Sequence, residues 1–157
     1  EIARRGHEVG NHSATHPDMA GLSQDQIRKE LTVTGDRIES LTGVKPTVFR
    51  PPFGSYSNQL IDVCAECGYQ VIQWSVDSLD WKDISADQII DRVVGGVEPG
   101  SIVLFHNNAN YVEEYLPAIL EKLQAEGYEI VPVGQLIYHE NYHIDHTGKQ
   151  IPDTGVR

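Results

Sequence analysis

Apolar runs and amphipathic stretches alternate along these 157 residues, and their spacing assigns most of the elements. Residues 8–11 read as a short strand. Ser23 then opens a helix, and Gln26, three positions on, completes a capping box. Ile27, Leu31, Thr34, Ile38 and Leu41 recur at the spacing of one helix face, and Gly43 ends the stretch. Residues 47–50 read as a strand halted by Pro51 and Pro52. Residues 58–67 read as a helix ended by Gly68, and residues 69–76 as an apolar, β-branched strand. Ser85 with Gln88 forms a second capping box and opens a helix through Val94. SIVLF, residues 101–105, has the continuous apolar run of a strand buried on both faces. Leu116, Ile119, Leu120 and Leu123 mark a last helix, stopped at Gly127, with a strand at 128–131.

This alternation of strands and helices predicts the α/β class, a parallel sheet with helices outside it. At roughly 30 residues per strand–helix–strand unit, the length holds about five units, short of the ~250 residues of a complete eight-fold barrel. Either the sheet is open or the first part of a barrel lies upstream. The chain opens at Glu1, and Ile2 to Arg5 read as the end of a helix, so a longer parent protein is expected. One domain with a real core fits this length. No apolar run approaches the ~20 residues of a membrane helix. The net charge of -11 argues against a nucleic-acid surface, which needs clustered Lys and Arg, and suits a neutral or cationic substrate. Cys64 and Cys67 are too few for a disulfide framework and share one helix face, which reads as core.

Polar clusters follow directly on the predicted strands. His12 comes after 8–11, Arg50 ends 47–50, Asp77 follows 69–76 and His106 follows SIVLF. In parallel α/β folds the carboxyl ends of strands converge on one face, and active sites form there. That recurrence is the main argument from the residues for an enzyme.

In NHSATHP, residues 11–17, His12 and His16 lie four apart, a spacing that puts two imidazoles on one side of a helical turn within reach of one ion. The plain alternative is two surface histidines in a polar loop. Asn11 and Ser13 are placed to hydrogen-bond behind them, and Pro17 stiffens the turn. Catalytic zinc normally takes three protein ligands, so one is missing from this pair. RPPFG, residues 50–54, fixes a rigid turn that aims Arg50 either at solvent or at a carboxylate, with backbone N–H groups near Phe53 available to an oxyanion. DSLDW, residues 77–81, offers two carboxylates and the Trp81 indole. The acids are solvated or one pairs with a histidine, and the indole is core or a stacking face. His106 is structural or a general acid. The tail carries His139, His143 and His146 and reads as a surface extension able to bind adventitious metal.

NHSATHP, RPPFG, DSLDW and LFH, in this order and at these spacings, resemble the polysaccharide deacetylases with the NodB-homology domain, carbohydrate esterase family four. The resemblance runs from about Arg5 to Ile137, and DSLDWK with the tail is most similar to the sporulation-associated Gram-positive branch. It implies a distorted (β/α) barrel with fewer strands than a TIM barrel, here lacking its first strand or strands. It also implies a catalytic domain over residues 1–137, incomplete at its start, with residues 138–157 as a C-terminal extension. His12 and His16 match the family's metal-binding histidines, and the implied cofactor is a divalent cation, Zn²⁺ first and Co²⁺ second. Arg50 matches the arginine that holds the catalytic base, and the Phe53 N–H matches an oxyanion donor. Asp80 matches the carboxylate that tunes the acid, Trp81 a groove wall, Leu104 the lining of the acetyl pocket, and His106 the general acid.

The family's first motif, an aspartate pair on the first strand, supplies the base and the third metal ligand. No Asp-Asp occurs in this sequence, so the chain is expected to begin after that strand. The resemblance implies removal of N-acetyl groups from an N-acetylglucosamine-containing polysaccharide, of peptidoglycan or chitin type, outside the cell or in its envelope. O-acetyl (xylan) esterase and an inactive carbohydrate-binding domain are the alternatives. Neither a nucleic-acid partner nor a membrane span is expected.

Overall fold

The computed structural model describes residues 1–153; residues 154–157, the end of the expected C-terminal extension, lie outside the described residues. The chain divides into two compact units. One comprises Glu1–Gln73 with the segment from Pro132 onward, and the other Trp74–Val131. Residues 138–153, the described part of the expected C-terminal extension at 138–157, fall in the first unit.

In the first unit, Ser23 caps helix α1 (Gln24–Thr42) with the reciprocal Ser23–Gln26 box, and Gly43 closes it at φ 75°. Ile27, Leu31 and Gly35 form its buried side. The stripe fades beyond them, and Leu41 is exposed. Strand β1 (Val48–Phe49), helix α2 (Asn58–Glu66) and strand β2 (Gln70–Val71) make a parallel crossover unit, with Phe49 opposite Val71. The strand expected at 8–11 shrinks to one parallel bridge between Asn11 and Phe49, because only Asn11 exchanges backbone hydrogen bonds with the β1 segment. Met19, Ile27, Leu31, Phe49, Leu60, Val63, Cys64 and Tyr69 fill the core. Cys64 is buried there and its thiol is pushed up to about 12 by burial, so CAEC is packing, as its helical position implies.

The second unit repeats the crossover with strand β3 (Val76–Asp77), helix α3 (Ala86–Gly96, capped by Ser85 and Gln88) and strand β4 (Val103–Leu104). Asp77 lies opposite Leu104 in a parallel register. Helix α4 (Val112–Ala125) buries Tyr115, Ile119 and Leu123 against Ile89, Ile90 and Val93. The single strand expected at 69–76 is two short ones, because the run changes partners: Ile72 bonds to Phe49, whereas Ser75 bonds to Ile102. Residues 128–131 form no strand; the Tyr128 N–H instead closes the end of α4 on Leu123.

In the first unit again, a short helix α5 (Val133–Leu136) precedes an antiparallel hairpin of β5 (Tyr142–Ile144) and β6 (Gln150–Pro152). His139 and His143 spend ring nitrogens on the Gly134 carbonyl and on Asp153. Among the described residues, no group of three or more His, Cys, Asp or Glu side chains converges as a ready-made metal cluster. None of the described helices is long and apolar enough to cross a membrane.

Candidate functional site

Asn11 anchors the histidine turn in the first unit. It is buried, and its amide donates to the Leu31 carbonyl at 2.9 Å and contacts the Tyr69 hydroxyl at 3.0 Å. Its Oδ1 accepts the Ser13 N–H at 3.0 Å. Ser13 and His16 then adopt positive φ, 69° and 57°. The expected helical turn is therefore absent: two left-handed residues reverse the chain, and that reversal brings the rings of His12 and His16 to 5.0 Å between centroids. Ser13 Oγ accepts the His16 N–H at 2.9 Å.

Arg50 reaches the same turn through its backbone. Its N–H donates to the Asn11 carbonyl at 3.0 Å, and its carbonyl stands 2.5 Å from His12 Nδ1. A carbonyl only accepts, so Nδ1 carries a hydrogen, and in the neutral ring that is the tautomer suited to binding a cation through Nε2. The side chain of Arg50 is half-buried, and burial pulls its pKa below the usual guanidinium value. No carboxylate among the described residues forms an ion pair with it. The RPPFG turn follows as a 3₁₀ turn over Pro52–Gly54, with Phe53 at φ 59°. Phe53 is 71% exposed and meets His16 edge-on at 4.7 Å. Gln73 Nε2 donates to the Gly54 carbonyl at 2.6 Å and pins the turn from β2's side.

The second unit holds the acid–histidine pair. Asp80 is 2% exposed and accepts three hydrogen bonds. His106 Nδ1 lies 2.7 Å from Oδ1, while the His106 backbone N–H and the Tyr115 hydroxyl donate to Oδ2 at 2.8 and 2.9 Å. Burial, the largest single influence, raises the Asp80 pKa, but those donors and Ser78 together hold it below the ordinary carboxylate value. The carboxylate therefore persists as an anion facing the imidazole, fixes Nδ1–H and turns Nε2 outward, with the His106 side chain 29% exposed. Burial and then Asp80 push the Tyr115 hydroxyl upward, so it remains a donor. Tyr115 was hidden in the sequence: it is one turn before Ile119 in the same stripe, and an aromatic there reads as core. It is core as well, stacked on Phe105 at 5.8 Å.

Leu104 is buried at the end of β4, one residue before Phe105. Trp81 is 54% exposed, so the core alternative for its indole does not hold; Lys82 Nζ lies 5.1 Å from the ring centroid. Thus the first unit gathers His12, His16, Arg50 and Phe53, and the second gathers Asp80, Trp81, Leu104 and His106. By ring proximity, 5.0 Å between centroids, the pair of histidines could offer a divalent cation two of the three protein ligands that catalytic zinc usually takes.

Residues 1–72 match the polysaccharide deacetylase family. The chain is 37% identical over 148 residues to a peptidoglycan-N-acetylglucosamine deacetylase of Listeria monocytogenes, covering 94% of this chain and 30% of that protein. To a chitooligosaccharide deacetylase of a Bradyrhizobium species it is 31% identical, over 87% of this chain and 71% of that one. A solved CE4 family pseudoenzyme from Bacillus anthracis shares its fold, with a TM-score of 0.82 at 37% identity over 86% of this chain and 48% of the other. The chain spans 43% or less of the length of three of the curated relatives it matches. Similarity across most of a relative's length, on the same α/β framework, leaves one assignment: this chain belongs to the polysaccharide deacetylases, carbohydrate esterase family 4.

Proposed function

We propose that this chain provides the general acid and two metal ligands of a hydrolase that removes N-acetyl groups from an N-acetylglucosamine-containing polysaccharide of peptidoglycan or chitin type. The observation that carries the reading is the Asp80–His106 pair: a buried carboxylate with all its donors in place, holding a partly exposed imidazole. A pure binding module has no need of such a pair. The deacetylase names of relatives from Listeria and Bacillus cereus support the peptidoglycan substrate and a place in the cell envelope.

His12, through Nε2, and His16 would hold a divalent cation, Zn²⁺ first and Co²⁺ second. When bound, it would supply Lewis acidity toward the acetyl carbonyl and its attacking water. The chain's own residues do the rest. Doubly protonated His106 keeps Nδ1–H on Asp80 and donates its Nε2–H to the leaving amine of the sugar. The Phe53 N–H, in a turn held open by a positive φ, would face the developing oxyanion. Arg50 would orient an anionic base, Leu104 would pack on the acetyl methyl group, and the exposed Trp81 indole would stack on a sugar ring. The products are acetate and a free amino sugar.

A second reading, a carbohydrate-binding domain without turnover, is favoured by one observation: these 157 residues contain no adjacent aspartate pair. The assay that decides measures acetate release from N-acetylated chito-oligosaccharides and from acetylated xylan, with Zn²⁺ added. It is run on this chain and on a form extended N-terminally by a family aspartate-pair segment. Release from chito-oligosaccharides supports the proposal, and release from xylan alone makes the protein an O-acetyl esterase. No release from either by the extended, metal-loaded form rejects the enzyme. Within an active form, His106→Ala should abolish turnover and leave metal content intact; lost metal would mean His106 is a ligand.

A further inference from the structure

The turn between His12 and His16 is held by side chains. Ser13 N–H donates to Asn11 Oδ1, and His16 N–H donates to Ser13 Oγ. Between them, Ala14 and Thr15 N–H both donate to Glu30 Oε2 at 2.8 Å, and the Thr15 hydroxyl donates to Glu30 Oε1 at 2.8 Å. Four successive amides thus end on side-chain oxygens, and one carboxylate takes two of them and a hydroxyl. Such an arrangement lets the backbone curl around an anion. This turn needs it, because Ser13 and His16 both sit in the left-handed region that non-glycine residues avoid.

Glu30 acts from a fixed platform. It stands in the second turn of α1, between Ile27 and Leu31, both fully buried. The neighbouring Leu31 carbonyl accepts the Asn11 amide. Positions 30 and 31 therefore clamp the middle and the start of the turn from one rigid helix. Burial, the largest single influence on the Glu30 carboxyl, raises its pKa, yet the Thr15 and Ala14 donors with Lys29 nearby bring it below its ordinary value.

We propose that Glu30 is the positioning residue of the His12–His16 pair: its carboxylate is the anion around which the turn closes, and that closure sets the two imidazoles at the separation one cation requires. The proposal rests on reading the pair as metal ligands. Residues behind metal ligands commonly alter affinity about 10- to 100-fold, and Glu30→Ala should fall in that range for Zn²⁺ binding by the full chain. Two readouts separate the failures. Calorimetric Zn²⁺ titration reports affinity, while nuclear Overhauser contacts between the His12, His16 and Phe53 rings report geometry in the metal-free chain.

In Glu30→Ala the ring contacts should vanish and the Ala14 and Thr15 amides should exchange faster, while the Asn11 amide stays protected. Glu30→Gln, with one acceptor oxygen left, should show a smaller loss on every readout, and it carries the comparison if Glu30→Ala fails to fold. Faster exchange of the two amides with ring contacts and Zn²⁺ affinity unchanged would overturn the proposal. An unsubstituted chain that takes up no Zn²⁺ would overturn the metal reading of the pair; the ring contacts would then decide the role of Glu30 alone.

Discussion

Tyr115 is where packing and chemistry meet in one side chain. Its ring stacks on Phe105 while its hydroxyl fills Asp80 Oδ2 beside the His106 N–H. Tyr115→Phe keeps the ring and removes one donor from a buried anion. A hydrogen bond to a charged group is worth about 1.5–3 kcal/mol, so urea unfolding should show a loss of that size. The Oδ1 bond to His106 survives, so in a form that shows the proposed deacetylation, acetate release should decline through kcat with KM little changed. Unaltered stability would mean that the hydroxyl hydrogen bond is not formed in solution. The sequence could not announce this residue, because position 115 satisfies the apolar stripe of α4 whether or not its hydroxyl has a task. Glu30 was equally invisible: a glutamate beside a helix's core stripe reads as a solvated face until the turn that wraps it is known.

At the scale of elements, what was legible is what is local. Both capping boxes and the glycine stops depend on residues three or four apart, and the structure has them where the spacing puts them. The strands were legible as apolar runs but not as lengths, since a strand's extent depends on distant partners. Residues 69–76 satisfy two different neighbours in turn, and 128–131 satisfy none. The NHSATHP turn misled for another reason: HxxxH spacing is ambiguous between a helical turn and a loop that reverses through positive φ. Gly35 shows how tightly α1 serves that loop. A Cβ there would collide with the Tyr69 hydroxyl, the group that contacts the Asn11 amide. Gly35→Ala should therefore destabilise the chain, although alanine favours an exposed helix interior by roughly 1 kcal/mol over glycine. The loss should reach the Asn11 amide in hydrogen exchange. Pairing the substitution with Tyr69→Phe should recover part of it, and a stabilised Gly35→Ala would show that the helix has room to move.

For the whole molecule, acid should act twice and in opposite directions. With a net charge of -11 and a pI near 4.9, lowering the pH from 7 first relieves diffuse repulsion. That gain acts over long distances, so salt at about 0.15 M, with a screening length of about 8 Å, should remove most of it. The second effect is local. Asp80 and Glu30 have folded-state pKa values below their unfolded ones, so each favours folding fully above the unfolded value and loses that contribution as pH falls through the folded one. The loss should begin near pH 4 and deepen below it. Buried and enclosed by its donors, Asp80 is screened far less than the surface is, so salt should leave this limb in place. Urea unfolding across pH 7 to 2, at low and moderate salt, separates the two effects. Added salt should flatten the gentle rise toward pH 5 and spare the steep fall below 4. Asp80→Asn should lower stability at pH 7 and shallow that fall, because its amide cannot ionise in either state. A fall of unchanged steepness in Asp80→Asn would place the acid sensitivity elsewhere, with Glu30→Gln as the next variant to measure.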